Sequence, residues 1–232
     1  MSTDAEISEI QMWPSCSPTE IDPGLLQLGE VHLWLVPLSP HASAVEEFAS
    51  TLTSDERERA ARFHFDRDRR RFVVARGLLR QLLGHYAGMR GDAIRFAYGP
   101  FGKPYLPTSA GQAKLEFSLS HSGDWALAGF TRGRGIGVDM EGVRAMADYR
   151  DLAESNFAPA EVTSLFELPE EQQIDSFFAC WVRKEAYAKA LGLGLSLDLS
   201  TFVVSVKPDE GVEIVPATRT AVAHQVWGIR PL

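Results

Sequence analysis

The 232-residue sequence predicts an α+β fold in two similar halves, each with long helices beside a small, mainly antiparallel sheet. Long segments place apolar residues at helical spacing, and shorter segments alternate apolar with polar residues between glycine-rich turns. The same order of helices and strands returns in outline after Glu141, although the sequence itself shows no clean repeat. We place the seam between the halves at Gly133–Gly135.

The first half is predicted to begin, after an irregular leader at residues 1–24, with a strand at Val31–Leu38. Helices follow at Ser43–Leu52 and Ser54–Tyr86, because acidic residues stand at the start of the second and its later leucines supply a buried side. The remaining strands of this half are predicted at Ile94–Tyr98, Leu115–Ser120 and Trp125–Thr131.

The second half is predicted to begin with a strand at Gly135–Glu141, which pairs with Trp125–Thr131 around a turn of glycines and arginines. The helices and strands after it are predicted at Tyr149–Asn156, Ala160–Phe166, Glu170–Leu191, Phe202–Val206, Val212–Val215 and His224–Ile229. The chain thus divides into the leader and two subdomains, at 25–133 and 134–232.

The composition limits the classes of function. A formal net charge of −8 argues against non-specific binding of nucleic acid by the whole chain. Nine of the 23 basic residues nevertheless lie between Arg57 and Arg80, which suggests a specific anionic ligand. No stretch reaches the ~20 apolar residues of a membrane span, and two cysteines are too few for a disulfide framework. Because the N-terminus lacks a signal-peptide pattern, we expect a cytoplasmic protein.

The first candidate site is the sequence GIGVDME at Gly135–Glu141. In an extended strand, side chains two residues apart point the same way, so Asp139 and Glu141 would present two carboxylates on one side. Such a pair suits a hard divalent cation. Taken alone, it is also explained by a strand end with two solvated acids.

The second candidate is the sequence WVRKEAYAKALG at Trp181–Gly192. On a helix, Lys184 and Glu185 lie on neighbouring ridges, and Lys189 follows Glu185 by one turn. A Glu–Lys pair at this spacing adds only about 0.2–0.5 kcal/mol at a helix surface, so a solvated helix is the simpler interpretation of this segment alone. Trp181 is expected to anchor the helix by packing.

Two turns add further polar groups. In FSLSHSG at Phe117–Gly123, Ser120 and His121 stand beside exposed amides that suit a phosphate, although they are equally compatible with an ordinary turn. The turn GPFGKP presents Lys103 rigidly. Neither standard phosphate loop, G-x-x-x-x-G-K-[ST] or G-x-G-x-x-G before a helix, occurs.

The arginine-rich helix is the last candidate. Arg69, Arg76 and Arg80 fall near one face, and Arg71 reaches another. These residues form either a ligand surface or a solvated basic face. Binding of nucleic acid by this helix is opposed by the net negative charge and by the absence of base-stacking aromatics.

Together, these motifs resemble a known family. The strings F-G-K-P, F-S-L-S-H-S-G, G-I-G-V-D-M-E and F-F-x-x-W-x-x-K-E-A-x-x-K-x-x-G follow one another as in the 4'-phosphopantetheinyl transferase superfamily, surfactin-synthetase-activating type. The resemblance covers the chain from about Arg57 to Val206, and the last two motifs together are highly specific.

The resemblance implies a pseudo-dimer of two similar α/β subdomains with coenzyme A between them. Enzymes of this family transfer the 4'-phosphopantetheine arm of coenzyme A to a serine of an apo acyl or peptidyl carrier protein and release 3',5'-ADP. The implied cofactor is Mg²⁺, with Mn²⁺ as a second candidate. We expect a monomer that binds neither nucleic acid nor membranes.

By resemblance, Asp139, Glu141 and Glu185 are the metal ligands, and Asp139 also belongs to the catalytic and coenzyme A-binding residues. Glu185 is similar to the family's proposed general base, which acts on the serine directly or through a water. Lys189 matches a lysine that contacts the phosphates and helps the leaving group. Lys184 is assigned either a structural role or a place near the phosphates.

The resemblance also implies a nucleotide-binding side. Arg71 and His121 are expected to bind the 3'-phosphate, with Arg76 in support, and Ser120 to border the adenine. The loop over the adenine comprises Phe101, Gly102, Lys103 and Pro104.

The chain departs from the family pattern just before the arginine-rich helix. Lysines are common there in the family, whereas this chain has Ser54, Asp55, Glu56 and Glu58, and Arg57 or Arg59 would have to replace them. The departure motivates an alternative function, a non-catalytic homologue that binds coenzyme A or a carrier protein without transfer.

Overall fold

Two compact units make up the chain, Met1–Met140 and Glu141–Leu232. The computed structural model describes residues 7–12, 26–39, 42–108, 113–208, 212–216 and 227–229. The division by contacts falls after Met140, a few residues beyond the seam predicted at Gly133–Gly135.

The first unit contains a four-stranded sheet in which β1 (Ile7–Met12) is followed by β2 (Val31–Pro37), then β6 (Trp125–Arg132) and then β5 (Leu115–Ser122). Strand β6 pairs in antiparallel fashion with β2 on one side and with β5 on the other. Strand β1 (Ile7–Met12) runs parallel to β2 at its outer edge. The prediction of an irregular leader is therefore wrong for these six residues, since the prolines that suggested it all follow Met12.

A small hairpin completes the strands of this unit. It consists of β3 (Ala97–Tyr98) and β4 (Pro104–Tyr105), which pair in antiparallel fashion around the predicted tight turn.

Three helices precede that hairpin: α1 (Ala42–Thr51), α2 (Ser54–Ala61) and α3 (Asp66–Ala87). A single helix at Ser54–Tyr86 was predicted, and that prediction is wrong. In a continuous helix Glu56 and Arg80 would be about 36 Å apart along the axis. Their side chains are instead 2.6 Å apart, Nε to Oε2, because the chain leaves the helix between α2 and α3 and α2 packs back against α3.

The sheet of the first unit is covered on two faces. Alternate residues of β2 and β6, such as Trp34 and Phe130, pack with α3 residues in the main core, where Leu78 is fully buried. Residues of the opposite face, Leu33 and Leu127, pack with Ile136 and Val138.

The segment after β6 lies on this second face and is not the predicted strand at Gly135–Glu141. Both edges of β6 are already paired, with β2 and β5, so no backbone groups remain for a further neighbour. Gly129 of β6 permits the close approach, because an added Cβ would lie 2.7 Å from Val138 Cγ1 and 2.9 Å from Ile136 Cδ1.

The second unit is built on α4 (Tyr149–Asn156), α5 (Pro159–Phe166) and α6 (Glu170–Leu191), in agreement with the predicted helices. Short strands pair as β7 (Phe202–Val203) with β9 (Val215–Pro216) and β8 (Val212–Glu213) with β10 (Gly228–Ile229). They are shorter than predicted, and residues 224–226 of the last predicted strand lie outside the described residues.

The core of the second unit is separate and rich in aromatic residues. Phe177, Leu165 and Cys180 are buried in it, and Trp181 packs against it with its ring centroid 5.8 Å from that of Phe177. Burial, with the Glu161 carboxylate adding to it, raises the pKa of the Cys180 thiol, as expected of a neutral core residue.

The two units share one buried arrangement. In each, a glutamate in the third position of a short helix accepts the backbone N–H of the residue before that helix: Glu56 from Thr53 at 2.9 Å and Glu161 from Ala158 at 2.7 Å. The same carboxylate binds a cation fourteen residues into the following 22-residue helix, Arg80 (66 to 80) or Lys184 (170 to 184).

Each of these cations also donates to two carbonyls beyond its helix, and each helix ends at a left-handed glycine, Gly88 or Gly192. This common arrangement agrees with an α+β pseudo-dimer. The sequence alone did not establish it, because the two halves show no clean repeat.

Candidate functional site

Two serines of β5 hold the segment that carries Asp139. They point away from the helices, toward the face that Ile136 and Val138 cover. Ser118 Oγ accepts the backbone N–H of Val138 at 3.1 Å, and Ser120 Oγ donates to Asp139 Oδ1 at 2.6 Å. The Ser120 hydroxyl thus orients the Asp139 carboxylate. The backbone of this segment is held by the Ser118 side chain and not by pairing as a strand.

Ser120 was predicted to border the adenine, and its contacts favour a different role. Its side chain is buried, and the hydroxyl proton is committed to Asp139. A hydroxyl in this position can set the direction of the carboxylate, but it presents little surface to a nucleotide.

The GPFGKP turn forms as predicted. Gly102 N–H donates to Gly99 O at 3.0 Å, and Gly102 has a φ of 83°, a left-handed conformation that glycine adopts without strain. Phe101 is exposed at the tip. Lys103 Nζ donates to Ile136 O at 3.1 Å, which ties the turn to the segment before Asp139.

Lys103 is half-buried, and that burial lowers the pKa of its ammonium, with Glu116 opposing the shift and Lys114 adding to it. A cation that is partly stripped of water gains more from an approaching anion than a fully solvated lysine does. This environment suits contact with a phosphate.

Arg71 and the turn that bears His121 lie together in the first unit. Arg71 Nη2 and Nε contact Asp124 Oδ1 at 2.6 and 3.0 Å, just after the exposed His121. A phosphate bound between Arg71 and His121 would compete with Asp124 for the guanidinium.

Arg76, predicted to support the 3'-phosphate, is instead built into the α2–α3 packing. Its Nε contacts Glu56 Oε1 at 2.5 Å, its Nη2 donates to Tyr98 Oη at 3.1 Å, and its guanidinium lies 3.9 Å from the Phe96 ring centroid. These contacts build Arg76 into the packing of α2 on α3, where it shares the single Glu56 carboxylate with Arg80, and its support of the 3'-phosphate stays a prediction. The pairing of Glu56 with these arginines gives an acid a structural role in the segment where the family commonly has lysines.

Lys184 lies in the core of the second unit. It is fully buried, and its ammonium contacts Glu161 Oε2 at 2.7 Å, Leu199 O at 2.6 Å and Phe202 O at 2.8 Å. Three acceptors match the three protons of an ammonium group. These contacts fit the structural role expected of Lys184, and its place near the phosphates stays a prediction.

Glu185 and Lys189 are half-buried residues of the same helix. Successive residues of a helix are rotated by about 100°, so Glu185 points away from the Glu161–Lys184 contact that faces the core. Lys189 follows Glu185 by one turn. Glu141, the other predicted ligand, has Arg144 Nη1 at 3.8 Å from its Oε2.

Comparison with known proteins decides the family. The N-terminal model of 4'-phosphopantetheinyl transferase matches residues 38–131, and the model of the 4'-phosphopantetheinyl transferase superfamily matches residues 135–228. The 4'-phosphopantetheinyl transferase HetI of Nostoc sp. is 41% identical over 188 residues, which cover 81% of this chain and 79% of HetI. The chain belongs to the 4'-phosphopantetheinyl transferase superfamily.

Further relatives come from Bacillus subtilis. The 4'-phosphopantetheinyl transferase Sfp is 30% identical over 178 residues, with 77% of this chain and 76% of Sfp covered. The 4'-phosphopantetheinyl transferase ffp is 30% identical over 196 residues, 84% of each chain. These similarities make this superfamily member a phosphopantetheinyl transferase enzyme of the Sfp type.

In this transferase, the predicted metal ligands come from both units: Asp139 from the first, Glu141 and Glu185 from the second. Among the residues that the structure describes, no group of three or more His, Cys, Asp and Glu side chains is arranged to hold a metal ion. The three-carboxylate site therefore stays a prediction. No helix in the described part of the chain is long and apolar enough to cross a membrane.

Sequence reasoning missed Glu161 and Ser118, and it placed Arg80 on a ligand surface or a solvated face although its side chain is buried. A signal for Glu161 was present, because Pro159 suits the first position of a helix and an acid two residues after that position is typical of a capping residue. Nothing local identified Arg80 as buried within an arginine-rich helix, and Ser118 shares its side of β5 with Ser120, so the alternation did not separate their roles.

Proposed function

We propose that the protein transfers the 4'-phosphopantetheine arm of coenzyme A to a serine hydroxyl of an apo acyl or peptidyl carrier protein, releasing 3',5'-ADP, with Mg²⁺ as cofactor. The observation that carries this proposal is that a chain matching the family through both halves retains Asp139, Glu141, Glu185 and Lys189. A homologue that had lost transfer would have no need of all four.

The donor set fits a hard divalent cation. Three carboxylates, from Asp139, Glu141 and Glu185, are oxygen ligands of the kind that Mg²⁺ and Mn²⁺ accept, with room for phosphate oxygens and water. The hydroxyl of Ser120 supplies the outer hydrogen bond that orients such a ligand. When bound, the ion would neutralise negative charge on the pyrophosphate of coenzyme A.

The proposed transfer forms one bond and breaks one. The carrier serine Oγ attacks the phosphorus that bears the pantetheine arm, and the bond from that phosphorus to the bridging anhydride oxygen breaks. The electron pair of that bond leaves with 3',5'-ADP. Glu185 takes the serine proton, directly or through a water, and Lys189 stabilises the charge that develops on the leaving phosphate.

The nucleotide side of the proposal depends on the first unit. The ammonium of Lys103 would contact phosphate, and Arg71 with His121 would bind the 3'-phosphate. Phe101, exposed at the tip of its turn, would cover the adenine. The ion pair of Arg71 with Asp124 supports this placement, because it already holds the guanidinium beside the turn of His121.

A transfer assay tests the proposal. The protein is incubated with coenzyme A, Mg²⁺ and a panel of apo carrier proteins, and carrier mass is followed. We expect at least one carrier to gain one phosphopantetheine, and omission of Mg²⁺ to abolish the gain. If no carrier in the panel gains mass, the proposal fails.

Glu185→Gln separates transfer from the alternative of binding without catalysis. We expect kcat to fall at least about 100-fold, because the base and one ligand charge are lost, while the Kd for coenzyme A without metal changes less than about twofold. Glu154→Gln, at an exposed position of α4, is the matched control and should transfer like the wild type. Unchanged transfer in Glu185→Gln would contradict the role of Glu185.

A further inference from the structure

The contact between Glu161 and Lys184 joins three parts of the second unit. Glu161, at the start of α5, accepts from Ala158 N–H and Lys184 Nζ through Oε2, each at 2.7 Å. Its Oε1 accepts the Val204 N–H, also at 2.7 Å. Through Leu199 O and Phe202 O, Lys184 reaches the same segment after α6, so one buried cluster connects α5, α6 and residues 199–204.

Stability alone is a weak explanation for this pair. Glu161 is 1% exposed and Lys184 0% exposed, so both charges have lost their hydration. Apolar residues of similar size are often as stabilising as a buried ion pair, or more so. The known advantage of such a pair is geometric, because its directional bonds are satisfied in only one arrangement of the elements it joins.

The arrangement it selects is that of α6 at residue 184. Hydrogen bonds from one side chain to α5 and to two carbonyls after the helix fix both the rotation of α6 about its axis and its position along that axis. The centroid of the Phe202 ring lies 4.3 Å from Lys184 Nζ, so this ring packs against the ammonium group. Because a helix is rigid over one turn, the directions of Glu185 and Lys189 follow from this anchor.

The first unit gives a comparison. There the same arrangement, Glu56 with Arg80, is followed by Gln81 and His85 at the positions that Glu185 and Lys189 occupy after Lys184. The buried pair is therefore common to both units, whereas the acid and the lysine that it would orient belong to the second unit.

We propose that Glu161 and Lys184 are positioning residues that hold Glu185 in the direction needed for metal binding and proton transfer. The inference rests on the proposed function. Neither residue touches substrate; both act through the helix that carries Glu185.

The test compares Glu161→Gln, Lys184→Met and the double variant E161Q/K184M. Each single change leaves one buried charge without its partner, so we expect both to lower Tm and kcat. The double variant removes both charges and should recover most of the lost Tm. If the pair positions Glu185, kcat and Mn²⁺ affinity should stay about tenfold or more below wild type, with KM for coenzyme A within about twofold.

Gln173→Leu is the matched control. Gln173 is a buried polar residue on the same helix, bonded to Leu168 O at 2.8 Å and to Tyr149 Oη at 2.8 Å, well before Lys184. Its loss should lower Tm while kcat stays within about twofold. All rates are measured at a temperature where circular dichroism finds every variant folded, so that a lower folded fraction cannot account for a lower kcat.

Recovery of kcat and Mn²⁺ affinity together with Tm in the double variant would overturn the proposal, since the pair would then only stabilise the fold. Mn²⁺ binding, measured by electron paramagnetic resonance, keeps the test separate from the transfer assay. If the wild-type protein modifies no carrier, the proposed function fails. If the wild-type protein transfers the arm but the double variant binds Mn²⁺ with unchanged affinity, only the positioning role is contradicted.

Discussion

At Asp139, one carboxylate oxygen accepts the Ser120 hydroxyl at 2.6 Å, and the backbone one residue earlier is held by Ser118. The motifs FSLSHSG and GIGVDME are therefore joined side by side in the first unit. A carboxylate with one oxygen fixed in this way loses less rotational freedom when it binds a cation.

Ser120→Ala tests whether the Ser120 hydroxyl orients the Asp139 carboxylate. We expect Mn²⁺ affinity and kcat to fall about tenfold, because the carboxylate of Asp139 loses its orienting donor, while coenzyme A binding without metal is unchanged. Calorimetry and the transfer assay give the two quantities. Had Ser120 bordered the adenine, metal-free coenzyme A binding would weaken instead. Thr131→Val, which removes another buried hydroxyl of the same sheet that donates to Glu30 O, should lower stability only.

At the scale of elements, the sequence predicts a helix well where local signals mark both of its ends. The bounds of α4 and α6 agree with prediction, because apolar spacing and the glycine after α6 are local signals. The break between α2 and α3 carries no proline or glycine, and it follows from the buried contacts of Glu56 with Arg76 and Arg80. Tertiary contacts of this kind are invisible to local pattern.

The Glu56 cluster predicts a pH dependence of stability. Burial alone would raise the pKa of Glu56, but hydrogen bonds from Arg80 and the Thr53 N–H and the charge of Arg76 outweigh it, so the pKa lies below its ordinary value. A depressed carboxyl pKa contributes stability at neutral pH that is lost as pH falls through the folded-state pKa.

Glu56→Gln should accordingly lower the free energy of unfolding by about 3–5 kcal/mol at pH 7, because the buried Arg80 and the partly buried Arg76 lose their partner. The difference from wild type should narrow progressively as pH falls from the ordinary glutamate pKa of 4.5 through the lower folded-state pKa, where Glu56 of the folded protein takes up a proton. Urea unfolding across this range measures both. Glu58→Gln, at an exposed position of the same helix, should stay close to wild type at every pH. A difference that is constant with pH would show that the charge of Glu56 is not responsible.

For the whole molecule, the sequence supports the family and the division into two units more firmly than the predicted site for metal and coenzyme A. Asp139, Glu185 and Lys189 stand out through their spacing within motifs, and their common site stays a prediction. Lys184 stands in the same motif, yet its direction is set by Glu161, 23 positions earlier (161 to 184) and on another helix. Spacing along one helix places residues around its axis, but only the neighbours in the fold decide which side faces inward.

The two units also contain separate cores, which predicts how the molecule responds to a local defect. Leu165→Ala, at a fully buried position of the second core, should cost about 2–5 kcal/mol through the cavity it leaves. Hydrogen exchange should then accelerate in the amides of α5 and α6, while α3 keeps its protection, since the core around α3 shares no residue with that cavity. Leu78→Ala, the corresponding change in the first core, should produce the reverse pattern. Equal loss of protection in α3 and α6 in both variants would mean that the two units unfold as one cooperative body.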